Sequence, residues 1–292
     1  MAGSHGSRLG RLIADLLARC TFPTPGSAVS CAVSGGADSL ALLVLATEAG
    51  CQVTAIHVDH GLRPDSDSEA LLVQAVAHRF GAGFVAERVV VEPGANLEAR
   101  ARAARYAVLP ADVLTGHTAD DQAETVVLNL MRGSGLDGLA GMGRARHPLL
   151  ALRRAETVEL CRQLGLDPFH DPTNDDPRWR RNRVRHEVLP LLDQVAERDV
   201  AWLIARQAEL LADDAALLNE LATELDPTDA KALAAAPVAL ARRALRRWLS
   251  DPYPPDAAGL DRVLAVARGE IKACELATGL RVERHGQRLC KV

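Results

Sequence analysis

The chain has 292 residues, 48% hydrophobic and 25% charged, the balance of a soluble globular protein with room for one large domain or two ordinary ones. Lys+Arg 34 against Asp+Glu 38 leave a formal charge of −4, so no whole-molecule positive field points to nucleic acid; 3% aromatics argue against a single-strand reader built on stacking. No run of about 18 apolar residues is free of charge, and no basic segment followed by an apolar core opens the chain. The expectation is therefore no membrane, no secretory signal and a cytoplasmic location. Met1–Ser7 reads as an added tag and is set aside. The cysteines Cys20, Cys31, Cys51, Cys161, Cys274 and Cys290 are scattered without a C-x-x-C pair, which suits reduced core thiols and neither a disulfide framework nor a zinc or iron–sulfur site.

In chain order, Ser27–Val33 reads as a strand, followed by a Gly-rich turn and a buried helix over Leu40–Ala49. Gln52–Val58 is a second strand, Ala70–Phe80 a helix, Phe84–Val91 a third strand and Asn96–Leu109 a helix with Leu97, Ala101, Ala104 and Val108 on one stripe. Ala111–Thr115 is a short buried strand, and a helix follows over Thr118–Arg132. This alternation predicts an α/β fold, a doubly wound, mainly parallel sheet whose ligand sits beyond the carboxyl ends of its strands. After about residue 196 the grammar changes. Val200–Glu224, Ala230–Ser250 and Ala257–Arg268 are helical in period, and the last twenty or so residues suit a small hairpin. The predicted division is a nucleotide-binding domain over 8–196, including a basic linker, and a smaller, mainly helical domain over 197–292.

Chemistry concentrates after the first strand. Ser34, Gly35, Gly36, Ala37, Asp38 and Ser39 form a turn entering a helix; the glycines allow close backbone approach, and the hydroxyls and helix-start N–H groups make an anion site. Neither G-x-x-x-x-G-K-[ST] nor G-x-G-x-x-G is present. Asp38 would repel phosphate unless a cation such as Mg²⁺ bridges the two, which makes it the candidate metal ligand. A turn without a ligand is the plain alternative.

His117, Asp121 and Glu124 follow an i, i+4, i+7 spacing that puts them on one face of the helix near Thr118, where they offer a cation site and a base. They equally suit an acidic first turn that complements the helix dipole. Arg102 and Arg105 lie three apart and could face phosphate or an adenylate; Asp59 and His60 end the second strand on the ligand side. Two arginine clusters supply local positive charge: Arg178, Arg180, Arg181, Arg183 and Arg185, then Arg242, Arg243, Arg246 and Arg247. Each also reads as a solvated face.

The loop Ser34–Ser39 resembles the SGGxDS pyrophosphate loop of the ATP-pyrophosphatase (PP-loop) superfamily. An ordered series narrows the resemblance: His57-Val-Asp-His-Gly-Leu-Arg63, Asn96-Leu-Glu98 with Ala101–Tyr106, Thr115–Thr125, Arg132–Gly135 with Gly138–Met142, Asp171-Pro-Thr-Asn174, and Arg181–Arg185 ending at Leu189-Pro190. Together these segments, over residues 28–192, resemble the tRNA(Ile)-lysidine synthases; His147 stands where that family usually carries Arg before Pro-Leu-Leu. The resemblance implies an ATP-dependent ligase that joins free L-lysine to carbon 2 of the wobble cytidine of CAU-anticodon isoleucine tRNA. It implies ATP bound at Ser34–Ser39, Asp59, His60, Arg102 and Arg105, with Mg²⁺ on Asp38. Asp38, His117, Asp121 and Glu124 would then serve the chemistry, and Arg178, Arg181, Arg183, Arg185, Arg242 and Arg246 the tRNA. A homodimer is one assembly open to such a chain. Other readings are another PP-loop enzyme, a tRNA thiolase or amide-forming synthetase, or a nucleotide-binding protein without turnover.

Overall fold

The structure, a computed structural model, describes residues 3–59, 66–89, 97–169, 175–251 and 253–292, with the side chains at 3–7, 66, 67, 97–99, 101 and 102 left out. The chain divides into two compact units, Met1–Glu209 and Leu210–Val292.

In the first unit, β1 (Ala28–Ala32), β2 (Gln52–Asp59), β3 (Gly83–Arg88) and β4 (Leu114–Thr115) form, among the described residues, a parallel sheet in the order β3-β2-β1-β4. Ala28 pairs with Gln52, Thr54 with Gly83 and Cys31 with Leu114. The chain winds one way from β1 to β3 and then returns to the other side of β1, so the order reverses between β1 and β4. A crevice opens at such a point, beyond the strand ends.

Helix α1 (Gly3–Leu17) starts within the segment set aside as a tag; Leu9, Leu12, Ile13, Leu16 and Leu17 recur at helical spacing and pack on the core. The helix α2 (Ala37–Glu48) is apolar almost all round, and every residue from Ser39 to Ala46 is buried, which makes it the centre of the unit. Helices α3 (Ser66–Arg79), α4 (Leu97–Val108) and α5 (Ala119–Met131) follow the strands in turn. Beyond them come α6 (Leu136–Leu139), α7 (Arg154–Gln163), and α8 (Arg180–Arg183), which runs through a π-type turn at Val184–Val188 into α9 (Leu189–Ala196). Val184 and Leu189 pack with Ala123 and Val127 of α5, which seats the arginine-bearing segment against that helix.

The helix α10 (Val200–Thr223) crosses the boundary between the units. The second unit holds α11 (Ala230–Ala235), α12 (Val238–Trp248) and α13 (Ala257–Arg268) around a core that includes Leu233, Leu245, Val263 and Leu264. Ala230–Ser250, read from sequence as a single helix, breaks at Pro237, which has no N–H to continue α11 and instead starts α12. The expected hairpin is one side of a larger sheet: β5 (Ala273–Glu275), β6 (Arg281–His285) and β7 (Arg288–Lys291) run antiparallel in that order.

The link between β4 and α2 is tight. A Cβ on Gly116, just after β4, would lie 2.5 Å from the Asp38 carbonyl oxygen and 3.0 Å from the Ser39 nitrogen. Because the obstacle is backbone, it cannot swing aside. Gly116→Ala should cost about 1–3 kcal/mol through overpacking, measured as a lower urea midpoint with an unchanged slope; a midpoint equal to wild type would contradict this packing.

Candidate active site

At the end of β1 the chain is shaped by one hydroxyl. Ser39 Oγ donates to the Gly36 carbonyl at 2.9 Å and accepts the Ser34 N–H at 3.1 Å, closing the loop over the first turn of α2. Gly35 has φ +87, a conformation open to glycine at little cost, and Gly36 caps α2 with no side chain of its own. Buried His57 donates its Nδ1–H to the Val33 carbonyl at 3.0 Å, tying the end of β1 to β2. His57 belongs to the His57–Arg63 motif, from which this tie between strands is not legible.

This loop forms one wall of a cavity of ≈ 980 Å³, which Gly116, His117 and Asp121 line beyond β4, with Arg105, Arg154 and Arg185 also on its walls. The crevice predicted by strand order is therefore present, and at a size suited to a nucleotide.

The helix α5 starts at Ala119 with Thr118 as its cap, and the Thr118 N–H donates to Asp121 Oδ2 at 3.0 Å. This cap displaces His117 from the helical face predicted for it: His117 precedes the helix and reaches the cavity from the loop. Asp121 presents Oδ1 to Arg154 Nη2 at 2.9 Å and to Arg181 Nη2 at 3.4 Å. Glu124, one turn on, is 0% exposed; Arg181 Nε lies 2.7 Å and Arg185 Nε 2.6 Å from its two oxygens. It is not on the cavity wall.

Arg154 binds this cluster together. Its guanidinium meets Asp38 at 3.3 Å, Asp121 at 2.9 Å and Glu124 at 3.5 Å, while its backbone N–H donates to Asp120 at 2.8 Å. Burial alone would lower its pKa, but Asp121, Asp38, Glu124 and Asp120 outweigh that and raise it. Arg154 lies outside the motifs read from the sequence, but it carries a local signal. Arg153-Arg154 opens a helix, where positive charge opposes the dipole, so a local acidic partner was to be expected. Arg153 has one in Asp120, at 2.8 and 3.1 Å.

The carboxylates differ. Burial pushes the Asp121 carboxyl up, but Arg154, His117 and Arg181 together hold it below its usual range. Burial and the neighbouring Asp121 charge push Asp38 up to about 6, although Thr157, whose hydroxyl donates to Oδ1, and Arg154 pull it down. The oxygen donors of Asp38 and Asp121 suit a hard divalent cation, and extra positive charge would relieve the resting strain on Asp38.

The basic clusters separate. Arg178 and Arg183 lie on the surface beside Asp176 and Glu187, with side chains 83% and 60% exposed, whereas Arg181 and Arg185 turn inward to the α5 carboxylates. In the second unit, Arg242 pairs with Asp261 at 2.7 Å and Arg246 is exposed. Asp59 ends β2 at 3.6 Å from Arg88. His60, the Arg102 side chain, Asn96, the Leu97 and Glu98 side chains, and Asp171–Asn174 lie outside the described residues.

Residues 7–192 match the PP-loop domain family (ATP_bind_3), and residues 229–290 match the TilS substrate binding domain family. A tRNA(Ile)-lysidine synthase of Nocardia farcinica is 43% identical over 271 residues, which cover 85% of this chain and 85% of that protein. The chain belongs to the tRNA(Ile)-lysidine synthase family. Another relative of that name, from Leifsonia xyli, is 44% identical over 258 residues, 78% of each chain. The fold is shared with a U34-tRNA thiolase of Methanococcus maripaludis at TM-score 0.54 and 20% identity, covering 72% of this chain and 80% of that one.

Asp38 yields a signed pH prediction. Its folded pKa of about 6 stands above the ordinary 3.8, so its favourable contribution is full below the lower value and lost as pH rises through the higher one. Asp38→Asn should therefore stabilise the ligand-free protein by about 1–3 kcal/mol near neutral pH, with the gain shrinking as pH falls toward about 4. Paired thermal melts across that window check it; a gain that grew on acidification would contradict the electrostatics described.

Proposed function

We propose that this chain ligates free L-lysine to carbon 2 of the wobble cytidine of a CAU-anticodon isoleucine tRNA, using ATP and releasing AMP and pyrophosphate. The codon read would change from AUG to AUA. The observation that carries the reading is the meeting, at the β1/β4 crevice, of an anion-shaped loop with the Asp121 carboxyl, held below its usual range at the start of α5, in a chain of this family.

The chemistry explains the need for both. An amide-like cytosine oxygen is a poor leaving group, and its transfer to the α-phosphorus, with pyrophosphate departing, makes it a good one. The lysine ε-amine then bonds to carbon 2 as the C–O bond breaks and AMP leaves. In this reading the Ser34–Ser39 loop and the start of α2 receive the phosphates, with Arg105 beside them. Asp38 would be the protein ligand of Mg²⁺, whose contribution is charge neutralisation on the phosphate oxygens. Asp121, which lines the cavity as a carboxylate, receives the lysine ammonium, while Glu124 acts from beneath by holding Arg154, Arg181 and Arg185.

For the tRNA, Arg178 and Arg183 on the first unit and Arg242 and Arg246 on the second are the phosphate contacts proposed. Arg178, Arg183 and Arg242 sit in exposed ion pairs that stabilise the fold little, so exchanging a carboxylate for a phosphate costs little. Among the described residues no helix is long and apolar enough to cross a membrane; the setting proposed for this tRNA chemistry is the cytoplasm. The thiolase alternative would ask for a reactive cysteine near the cavity; Cys161, which faces the start of α2, is buried, and burial pushes its thiol up to about 12.

Pyrophosphate release distinguishes the readings. The proposed ligase releases it stoichiometrically with lysine incorporation only when the tRNA, lysine and ATP are all supplied. Release driven by ATP with ammonia or a sulfur donor in place of lysine, or nucleotide binding without any release, would overturn the assignment.

A further inference from the structure

Three side chains beside the cavity, Thr115, His117 and His147, form a hydrogen-bonded chain to which the proposed function assigns no role. Thr115, 4% exposed at the end of β4, places its Oγ1 2.6 Å from His117 Nδ1 and 2.6 Å from His147 Nδ1. The two Nδ1 atoms are 3.2 Å apart, with the rings edge to face at 87° and centroids 4.9 Å apart.

Proton counting restricts this arrangement. A threonine hydroxyl carries one proton, so it donates to only one of the two imidazoles. At the same short distance, the other ring must donate its own Nδ1–H to the oxygen. Were the oxygen to accept from both rings instead, two N–H groups would meet across the 3.2 Å between the nitrogens, which is unfavourable, whereas one N–H facing one lone pair is not. One ring therefore carries Nδ1–H and the other has a bare Nδ1.

The surroundings decide which. His117 lines the cavity together with Asp121, whose carboxyl Arg154 above all holds below its usual range, so that it faces the ring as an acceptor. With Nδ1 turned to Thr115, the nitrogen left for the cavity side is Nε2. An ionised carboxylate accepts and never donates, and a phosphate does the same, so both favour Nε2–H.

We propose that His147 is a positioning residue: it donates Nδ1–H to Thr115, whose hydroxyl donates to His117 Nδ1, and this relay holds His117 in the Nε2–H tautomer as a hydrogen-bond donor on the cavity side. The effect is preorganisation. His117 presents one tautomer before any anion arrives, as an outer partner orients a ligating or catalytic imidazole elsewhere. The inference deepens the proposed function and rests on it for the anion that His117 would meet, but the tautomer is a property of the resting protein.

The experiment is a long-range ¹H–¹⁵N correlation of the histidine rings in the full, ligand-free chain at a pH where the rings are neutral, with His117 assigned by its loss in His117→Gln. Expected for wild type is a pyridine-type Nδ1 and a pyrrole-type Nε2 on His117. His147→Leu, which fills the space without a donor, should move both His117 nitrogen shifts toward the averaged values of a tautomer mixture. His147→Arg, which can only donate, should restore the wild-type pattern. In the pyrophosphate assay, His147→Leu should lower kcat about 10-fold or more with KM for ATP little changed, and His147→Arg should recover most of it.

A wild-type His117 in the Nδ1–H form, or His117 shifts unmoved in a folded His147→Leu protein, would overturn the relay. Should His147→Leu fail to fold, Thr115→Val removes the relaying hydroxyl and is read by the same shifts. The expected tautomer in a protein that performs no lysine-dependent release would support the relay while sinking the ligase reading, so the two failures are separable.

Discussion

The first unit is organised around a charge balance in its interior. Asp38 from α2 and Asp121 and Glu124 from α5 are neutralised by Arg154 from α7, Arg181 from α8 and Arg185 from the π-type turn that follows. The pairing is needed because burying an unpaired charge costs several kcal/mol. The consequence is geometric. Four segments far apart in sequence are obliged to converge where the sheet reverses its strand order, and the cavity opens at that convergence.

The balance is uneven, and the unevenness suits a reaction. Asp121, 2.9 Å from Arg154, is held below its usual range, while Asp38, 3.3 Å from the same guanidinium, is pushed up to about 6 by burial and by Asp121 itself. The resting site thus carries an electrostatic strain directed at the end of the loop where phosphate and its cation are proposed to bind. The hydroxyl of Ser39 and the close approach of Gly116 to the α2 backbone keep that loop from relaxing outward. A fold that concentrates acids beside an anion site gives up stability for readiness to bind, a common bargain at functional sites.

The alternation of short apolar runs with helical periods was enough to read a parallel sheet, because a strand covered on both faces has no polar alternation to confuse the pattern. Ser34–Ser39, Asp121 and the helix Ala257–Arg268 were equally legible, since caps, glycines and acidic first turns are local signals. What escaped is non-local. Arg181 and Arg185 read as part of a surface patch because spacing along a chain does not show the buried acid that faces it. His117 read as helical because i, i+4 spacing is blind to where the cap falls. Arg154 is legible only as a conflict, since two arginines at a helix start oppose the dipole until Asp120 and the acids beyond it are in view. The start of α1 was lost to composition, its polar opening masking a stripe that begins at Leu9.

The family relationship gains its meaning from this arrangement. A PP-loop domain over residues 7–192 accounts for the sheet and the phosphate loop, but a sheet of this kind serves many reactions. The acidic start of α5 and the arginines that hold it are what adapt the crevice to a cationic amine in the reading given above. The most direct test is a double-mutant cycle between Arg154→Met and Glu124→Gln, followed by urea unfolding. If the interior charge balance organises the site, Arg154→Met alone costs about 3 kcal/mol or more, and adding Glu124→Gln returns at least about 1 kcal/mol of it. Additive effects, with Arg154→Met within about 0.5 kcal/mol of wild type, would contradict the account.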